Sequence, residues 1–168
     1  MRMSRRIRQA CSMFGSGDKN TEIDLVLLRK QLEIDEGVKY EIYLDHLGYP
    51  TFGIGHLIQK FEFEDGMPVG SVVEPERVNE AFVLDVKVSI EDCIALFSGW
   101  DSYPQEAKQV FANMAFNLGR GKLSKFKKMI RAAESANWKL AAVEGRDSRW
   151  HKQVTNRADH LMSRLEKV

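Results

Sequence analysis

Residues 34–57 read IDEGVKYEIYLDHLGYPTFGIGHL, and this stretch decides the fold. It is entered from Leu25, Leu28 and Leu32, which repeat at helical spacing, and Gly37 then supplies a helix stop, because glycine accepts the left-handed backbone of a helix C-terminus. A helix over 22–36 is predicted, with Glu36 at its C-terminal end. Thr21-Glu22-Ile23-Asp24 resembles a capping box with Asp24 in place of glutamate. Residues 40–58 are rich in aromatic and β-branched side chains and broken by Gly48, Pro50, Gly53 and Gly55, which fits short strands joined by turns. Eight residues separate Glu36 from Asp45, and five separate Asp45 from Thr51. The chain reverses between the two acids, so they can face one cavity from different elements. Carboxylates paired across a cleft suit cleavage of a glycosidic bond, one protonated to donate to the leaving oxygen and the other ionised. Spacing alone is a weak signal, because a chain of this size has several such pairs.

Working outward, residues 59–72 contain Asp65-Gly66, Pro68 and Gly70 and read as a loop or short hairpin. From Pro75 to about Ser98, the residues Val78, Phe82, Val86, Ile90, Cys93 and Phe97 make one continuous apolar stripe, with Pro75 suited to a first helical turn. Four helical segments are predicted after it. Pro104–Leu118 carries Ala107, Val110, Phe111, Met114 and Leu118 on one face and stops at Gly119. Leu123–Ala133 carries Leu123, Phe126, Met129 and Ile130. Trp138–Val143 is short. Thr155 is expected to cap a last helix bearing Ala158, Leu161, Met162 and Leu165. The predicted fold class is α+β and mostly helical: an N-terminal lobe over 21–72, a connecting helix over 73–98 and a helical lobe over 99–168. A cleft between lobes is the natural place for a substrate. Residues 1–20 stand apart as a flexible basic extension.

The chain has 168 residues, with 25 Lys+Arg against 24 Asp+Glu and a formal net charge of +1. A hydrophobic share of 43% argues against wholesale disorder, and the balanced charge argues against binding nucleic acid by bulk electrostatics. Apolar runs such as Leu25-Val26-Leu27-Leu28 fall far short of the roughly 20 residues that span a bilayer. Cys11 and Cys93 read as free thiols of a reducing compartment; they form no CxxC pair and are too few for a zinc site. Arg2, Arg5, Arg6 and Arg8 make a basic start, but Gln9, Ser12, Gly15 and Ser16 interrupt the apolar run that a secretory signal needs. That segment reads as a loosely docked extension or as a short basic helix for membrane or partner contact. A second basic run, Arg120, Lys122, Lys125, Lys127, Lys128 and Arg131, contains no acid. It reads as a solvated face or as a means of attraction to an anionic cell wall.

The literal text of residues 34–57 closely resembles the catalytic segment of phage-type lysozymes, glycoside hydrolase family 24. NMAFNLGRGKLSKF at 113–126 is similar to that family's cleft helix and loop, and SRWHKQVTNRA at 148–158 to its C-terminal signature. Phe82, Asp85 and Trp138 agree singly. The resemblance implies a lysozyme-like fold, no metal or organic cofactor, and a monomer acting on the glycan strands of peptidoglycan. On it, Glu36 is the general acid, Asp45 the carboxylate that directs water and stabilises charge on the sugar, and Thr51 the hydroxyl that holds the water. The family usually inverts, which expects carboxyl groups roughly 6.5–9.5 Å apart. Arg157 matches an arginine beside the acid. His56 and Asp85 match a structural ion pair. Phe116, Asn117, Leu57 and the Gly55 backbone match positions that line the sugar groove. Met129 and Glu144 stand where the family has small or amide side chains, and Met129 also fits the packing stripe of its helix. The resemblance further implies synthesis in a bacterial cytoplasm without a signal peptide and action on the wall after release. Two rivals stand beside hydrolysis: a glycan-binding protein that does not cut, and a lytic transglycosylase.

Overall fold

The computed structural model describes residues 23–168. The basic extension, Cys11 and the Thr21 end of the expected capping box lie outside the described residues. Helix α1 (Leu25–Glu36) leads into a three-stranded antiparallel sheet, β1 (Lys39–Leu44), β2 (Pro50–Gly53) and β3 (His56–Leu57), in the order β1-β2-β3. Helix α2 (Pro75–Leu96) follows, then a 3-10 turn (Trp100–Ser102) and helices α3 (Gln105–Leu123), α4 (Lys127–Glu134), α5 (Trp138–Arg146), α6 (Arg149–Gln153) and α7 (Thr155–Leu165).

Asp24 caps α1 itself rather than closing a box from its third position. Its Oδ1 accepts the N–H groups of Val26 and Leu27, both at 3.0 Å, satisfying two donors that a helix start leaves free. At the other end Gly37 takes φ 73° and turns the chain into β1. Residues 59–72 form the expected loop, and its end pairs back on β1 through a bridge between Glu41 and Val72.

Among the described residues two apolar clusters form, and α2 contributes to both. Val78 and Ala81 pack with Ile42, Phe52 and Val73 under the sheet. Phe82, Val86, Ile90, Cys93 and Phe97 join the larger cluster with α1 and the helices after residue 100. At 22 residues, α2 is about 33 Å long.

Helix α3 departs most from its predicted single face. Every residue from Ala107 to Ala115 is buried, including Lys108, Gln109 and Asn113, because other helices surround it. Gly119 (φ 68°, ψ 163°) breaks the helix where a stop was expected, but helical turns resume to Leu123. Leu123 therefore ends α3, and α4 starts only at Lys127. Helix α5 runs on to Arg146, with its N-terminus capped by the Asn137 side chain. Helix α6 has no counterpart in the sequence reading; Ser148 caps it by accepting the His151 N–H. Thr155 does not cap α7. Its hydroxyl donates to the His151 carbonyl, and Val154, which has no capping side chain, holds the cap position. Cys93 is a buried free thiol whose ionisation burial pushes well above the usual thiol range.

Candidate active site

Glu36 is the last residue of α1, so its carboxyl leaves the helix where the chain turns into the sheet. Its Oε1 accepts a 2.5 Å hydrogen bond from Arg157 Nη1, which comes from α7, 121 residues along the chain. Arg157 is buried and does not choose its own position. Asn113 on α3 accepts from Arg157 Nε with its Oδ1 at 2.9 Å and from Nη2 with its backbone carbonyl at 3.3 Å. The Asn113 amide also donates to Asp35 Oδ2 at 2.9 Å, and that oxygen lies 3.5 Å from Arg157 Nε. One guanidinium thus serves two adjacent carboxylates and is oriented by both polar ends of one asparagine, a planar fork used in three directions.

Asp45 sits in the turn after β1. Its Oδ1 accepts the N–H groups of Leu47 and Tyr49, both at 2.8 Å, so the backbone holds one carboxylate oxygen. Thr51 follows on β2 and is buried. Its hydroxyl donates to the Tyr49 carbonyl at 2.9 Å, leaving its oxygen lone pairs as acceptors. Tyr49 ties Asp45 and Thr51 into one rigid turn. Across the sheet, Tyr43 faces Thr51, and Thr51 faces Leu57, so the three side chains form a row on one face. Leu57 is exposed. Gly55 (φ 72°) lies against the acid: a β-carbon there would sit 3.5 Å from Glu36 Oε2.

The same strand fixes His56 on the opposite face. Its Nδ1 lies 2.8 Å from Asp85 Oδ2 on α2, and its Nε2 lies 3.0 Å from Glu62 Oε2. Arg77 bridges Glu62 and Glu64, its Nη2 donating to Glu62 at 2.8 Å and its Nε to Glu64 at 2.8 Å. Burial works against the charged imidazole, but the hydrogen bonds and charges of Asp85 and Glu62 outweigh it and raise the His56 pKa. Burial pushes Glu62 upward, whereas the Gln59 N–H, His56 and Arg77 together carry it below the usual carboxylate range.

A groove of about 1230 Å³ does not include Glu36, Asp45 or Thr51 in its walls. Its lining includes His46 and Leu47, which follow Asp45 in the chain, together with Asn117, Phe126, Met129, Glu144 and Trp150 from the helical side. Asn117 accepts the Trp150 indole N–H at 2.8 Å. Met129 is buried in the large core yet reaches the groove wall. Phe116 is half-buried, packed on the core with its ring centre 6.2 Å from that of Phe82.

The phage lysozyme family profile matches residues 33–167. The chain belongs to the phage lysozyme family. Among its relatives, the probable T4-type lysozyme 2 of Dictyostelium discoideum is 35% identical over 158 residues, which is 83% of this chain and 93% of that one. The pre-baseplate central spike protein Gp5 of Enterobacteria phage T4 is 29% identical over 152 residues, covering 80% of this chain but only 26% of the spike protein. The peptidoglycan hydrolase gp36 of Pseudomonas phage phiKMV is 25% identical over 142 residues, covering 84% of this chain and 15% of that protein. Membership places the chain among cell-wall-hydrolysing enzymes.

Within this lysozyme framework, the sequence-predicted residues separate into groups. Glu36, Arg157 and Gly55 meet directly, as do Asp45 and Thr51 through their shared turn, and His56 pairs with Asp85. Phe116 packs on the core rather than standing free. Four residues of the site escaped sequence reading. Asp35 and Asn113 position Arg157, and Glu62 extends the His56 pair. Tyr43 is the fourth: burial first, then the charges of Glu36 and Asp45, raise its phenol pKa, so it lies within electrostatic reach of both acids. Its signal was available, because Tyr43 stands two residues before Asp45 in an alternating strand. Among the described residues, no cluster of His, Cys, Asp or Glu could hold a metal ion, and no helix is long and apolar enough to cross a membrane.

Proposed function

We propose that the chain is a muramidase that hydrolyses the β-1,4 bond between N-acetylmuramic acid and N-acetylglucosamine in peptidoglycan. Glu36 protonates the leaving oxygen, while Asp45 and the Thr51 oxygen direct the attacking water. The observation that carries this reading is the division of labour in the partners. Glu36 has one oxygen fixed by Arg157, and Gly55, which has no side chain, lies against the other. Asp45 is held by backbone N–H groups through one oxygen, in a turn that also fixes the Thr51 hydroxyl beside it. The enzyme works as a monomer without cofactor or nucleic acid, reaches the wall after release from the cytoplasm, and grips glycan between the sheet lobe and the helical lobe.

Incubation with purified peptidoglycan, with product ends identified by mass, tests this. Reducing muramic acid ends carrying oxygen from labelled water are expected. Anhydro ends would replace the proposal with a transglycosylase, and binding without products would replace it with a glycan-binding protein. Glu36→Gln should keep the fold and lose at least about 10²-fold in rate, the lower range for a general acid.

A further inference from the structure

Helix α2 buries one side, through residues such as Val78, Phe82, Val86 and Cys93. On the opposite side Leu84, Val88 and Ile94 are more than half exposed, at 57%, 55% and 54%. Glu76, Glu80 and Glu91 stand exposed on that same side, because steps of three and four residues return to one helix face. Among the described residues, Glu76 and Glu80 form no ion pair, and Glu91 meets only Lys87, at 3.8 Å. Single exposed apolar residues are ordinary. Here three of them occupy about 15 Å of one helix and are framed by acids.

We infer that this face of α2 is the seat of residues 1–14 of the same chain. Read at helical spacing, Met3, Ile7, Cys11 and Phe14 fall on one side of that segment, and Arg6 and Arg8 flank them. The segment holds four arginines and no acid. The α2 face is its complement, an apolar centre with three acids against Lys87. Reach fits as well. Residues 15–22, GSGDKNTE, span at most about 27 Å when extended. Arg29 of α1 lies over the Phe82 ring of α2, 5.0 Å from its centre. Arg29 is six residues past Ile23, about 9 Å along a helix, and α2 with its side chains is about 10–12 Å across. The outer face of α2 therefore lies within the span of the link. A link of eight residues holds the segment at roughly millimolar effective concentration, so contacts that are weak singly act together. A second copy of α2 is a poorer occupant: an antiparallel pair with Leu84 on Val88 sets Glu80 beside Glu91, like against like. An anionic membrane is repelled by the same acids. The inference is independent of the muramidase reading.

A nitroxide attached at position 12 of the full chain tests this, in Cys11→Ser/Ser12→Cys. At helical spacing position 12 falls on the side away from Met3 and Phe14, and the remaining thiol, Cys93, is buried and resists ionisation. The expected result is loss of the amide NMR signals of Leu84, Val88 and Glu91, with the signals of α5 and α7 retained. Adding Glu80→Lys/Glu91→Lys should restore the lost signals, and so should Leu84→Ser/Val88→Ser; all four positions are exposed, so the unfolding midpoint reports whether the fold is intact. Glu144→Lys/Asp147→Lys makes the same change in net charge away from α2 and should leave the loss in place. Signals retained throughout overturn the docking. Loss that appears only between chains, when nitroxide-bearing and isotope-labelled molecules are mixed and concentrated, overturns it in favour of a second copy. Retained signals together with binding to phosphatidylglycerol vesicles that Arg5→Glu/Arg8→Glu abolishes overturn it in favour of a membrane.

Discussion

Glu36 and Asp45 carry the same functional group, and their neighbours make them different. A guanidinium meets the first and backbone N–H groups meet the second. Tyr43, paired across the sheet with Thr51, carries an uncharged phenol donor, and burial with the charges of Glu36 and Asp45 raises its pKa further above the ordinary 10. Tyr43→Phe removes that hydroxyl alone. It should lower kcat/KM on soluble peptidoglycan roughly tenfold, while changing the unfolding midpoint little because the half-buried ring remains; an unchanged kcat/KM would make Tyr43 packing only. His56 makes a stability prediction instead. Its folded pKa is raised above the ordinary 6.5, so its contribution is complete below about pH 6.5 and is lost as pH rises through the raised value. Glu62 is lowered from 4.5, so its contribution is complete above about pH 4.5 and is lost as pH falls through the lowered value. Both hold between those limits. The stability gap between wild type and Asp85→Asn should be greatest near pH 5–6, about 1–2 kcal/mol by urea denaturation, and shrink by pH 8. Turnover of the folded variant should change much less. An acid beside an apolar stripe needs a partner, but that the partner of Asp85 is His56 came from the resemblance to the lysozyme family rather than from the spacing. Glu62 was not legible, because a loop of Gly, Asp and Pro fixes no direction for its side chains.

At the scale of the element, chain reading located helices well where one face meets one core, as in α2. It misplaced ends where a tertiary contact settles them. Leu123 looked like the start of α4 from its spacing, but it is buried as the last residue of α3. Five residues of α6 are too few for a period to show, and only the Ser148 cap was available as a sign. Helix α5 illustrates what spacing cannot say about small residues. Gly145 is buried against α7, and a β-carbon there would collide with Met162 Sδ. Gly145→Ala would ordinarily improve a helix. Here it should destabilise by about 1–3 kcal/mol, measured by thermal or urea unfolding, because Met162 is fully enclosed and has little room to retreat. Pairing it with Met162→Ala should recover part of the loss.

Across the whole molecule, the alternation of strand and helix patterns was enough to predict a sheet lobe, a long rod and a helical body. The groove was not legible, because Lys122, Lys128 and Arg149 meet only through the placement of three separate helices. Charge counted along the chain gives a run, whereas charge counted in space gives a wall. Arg157 is the widest-reaching contact of the site, joining α7 to α1 and, through Asn113, to α3. Arg157→Ala leaves Asp35 and Glu36 side by side with no cation and should cost about 3 kcal/mol of stability. Activity at a temperature where the variant is fully folded should also fall, because the acid loses its orientation. Chain order adds a consequence for synthesis. Glu36, Asp45 and Thr51 leave the ribosome well before Arg157, which aims the proposed acid from 121 residues further along the chain than Glu36. A chain that stops short of Arg157 holds all three proposed reacting groups and still lacks the cation that aims the proposed acid, so it should bind glycan without cutting it.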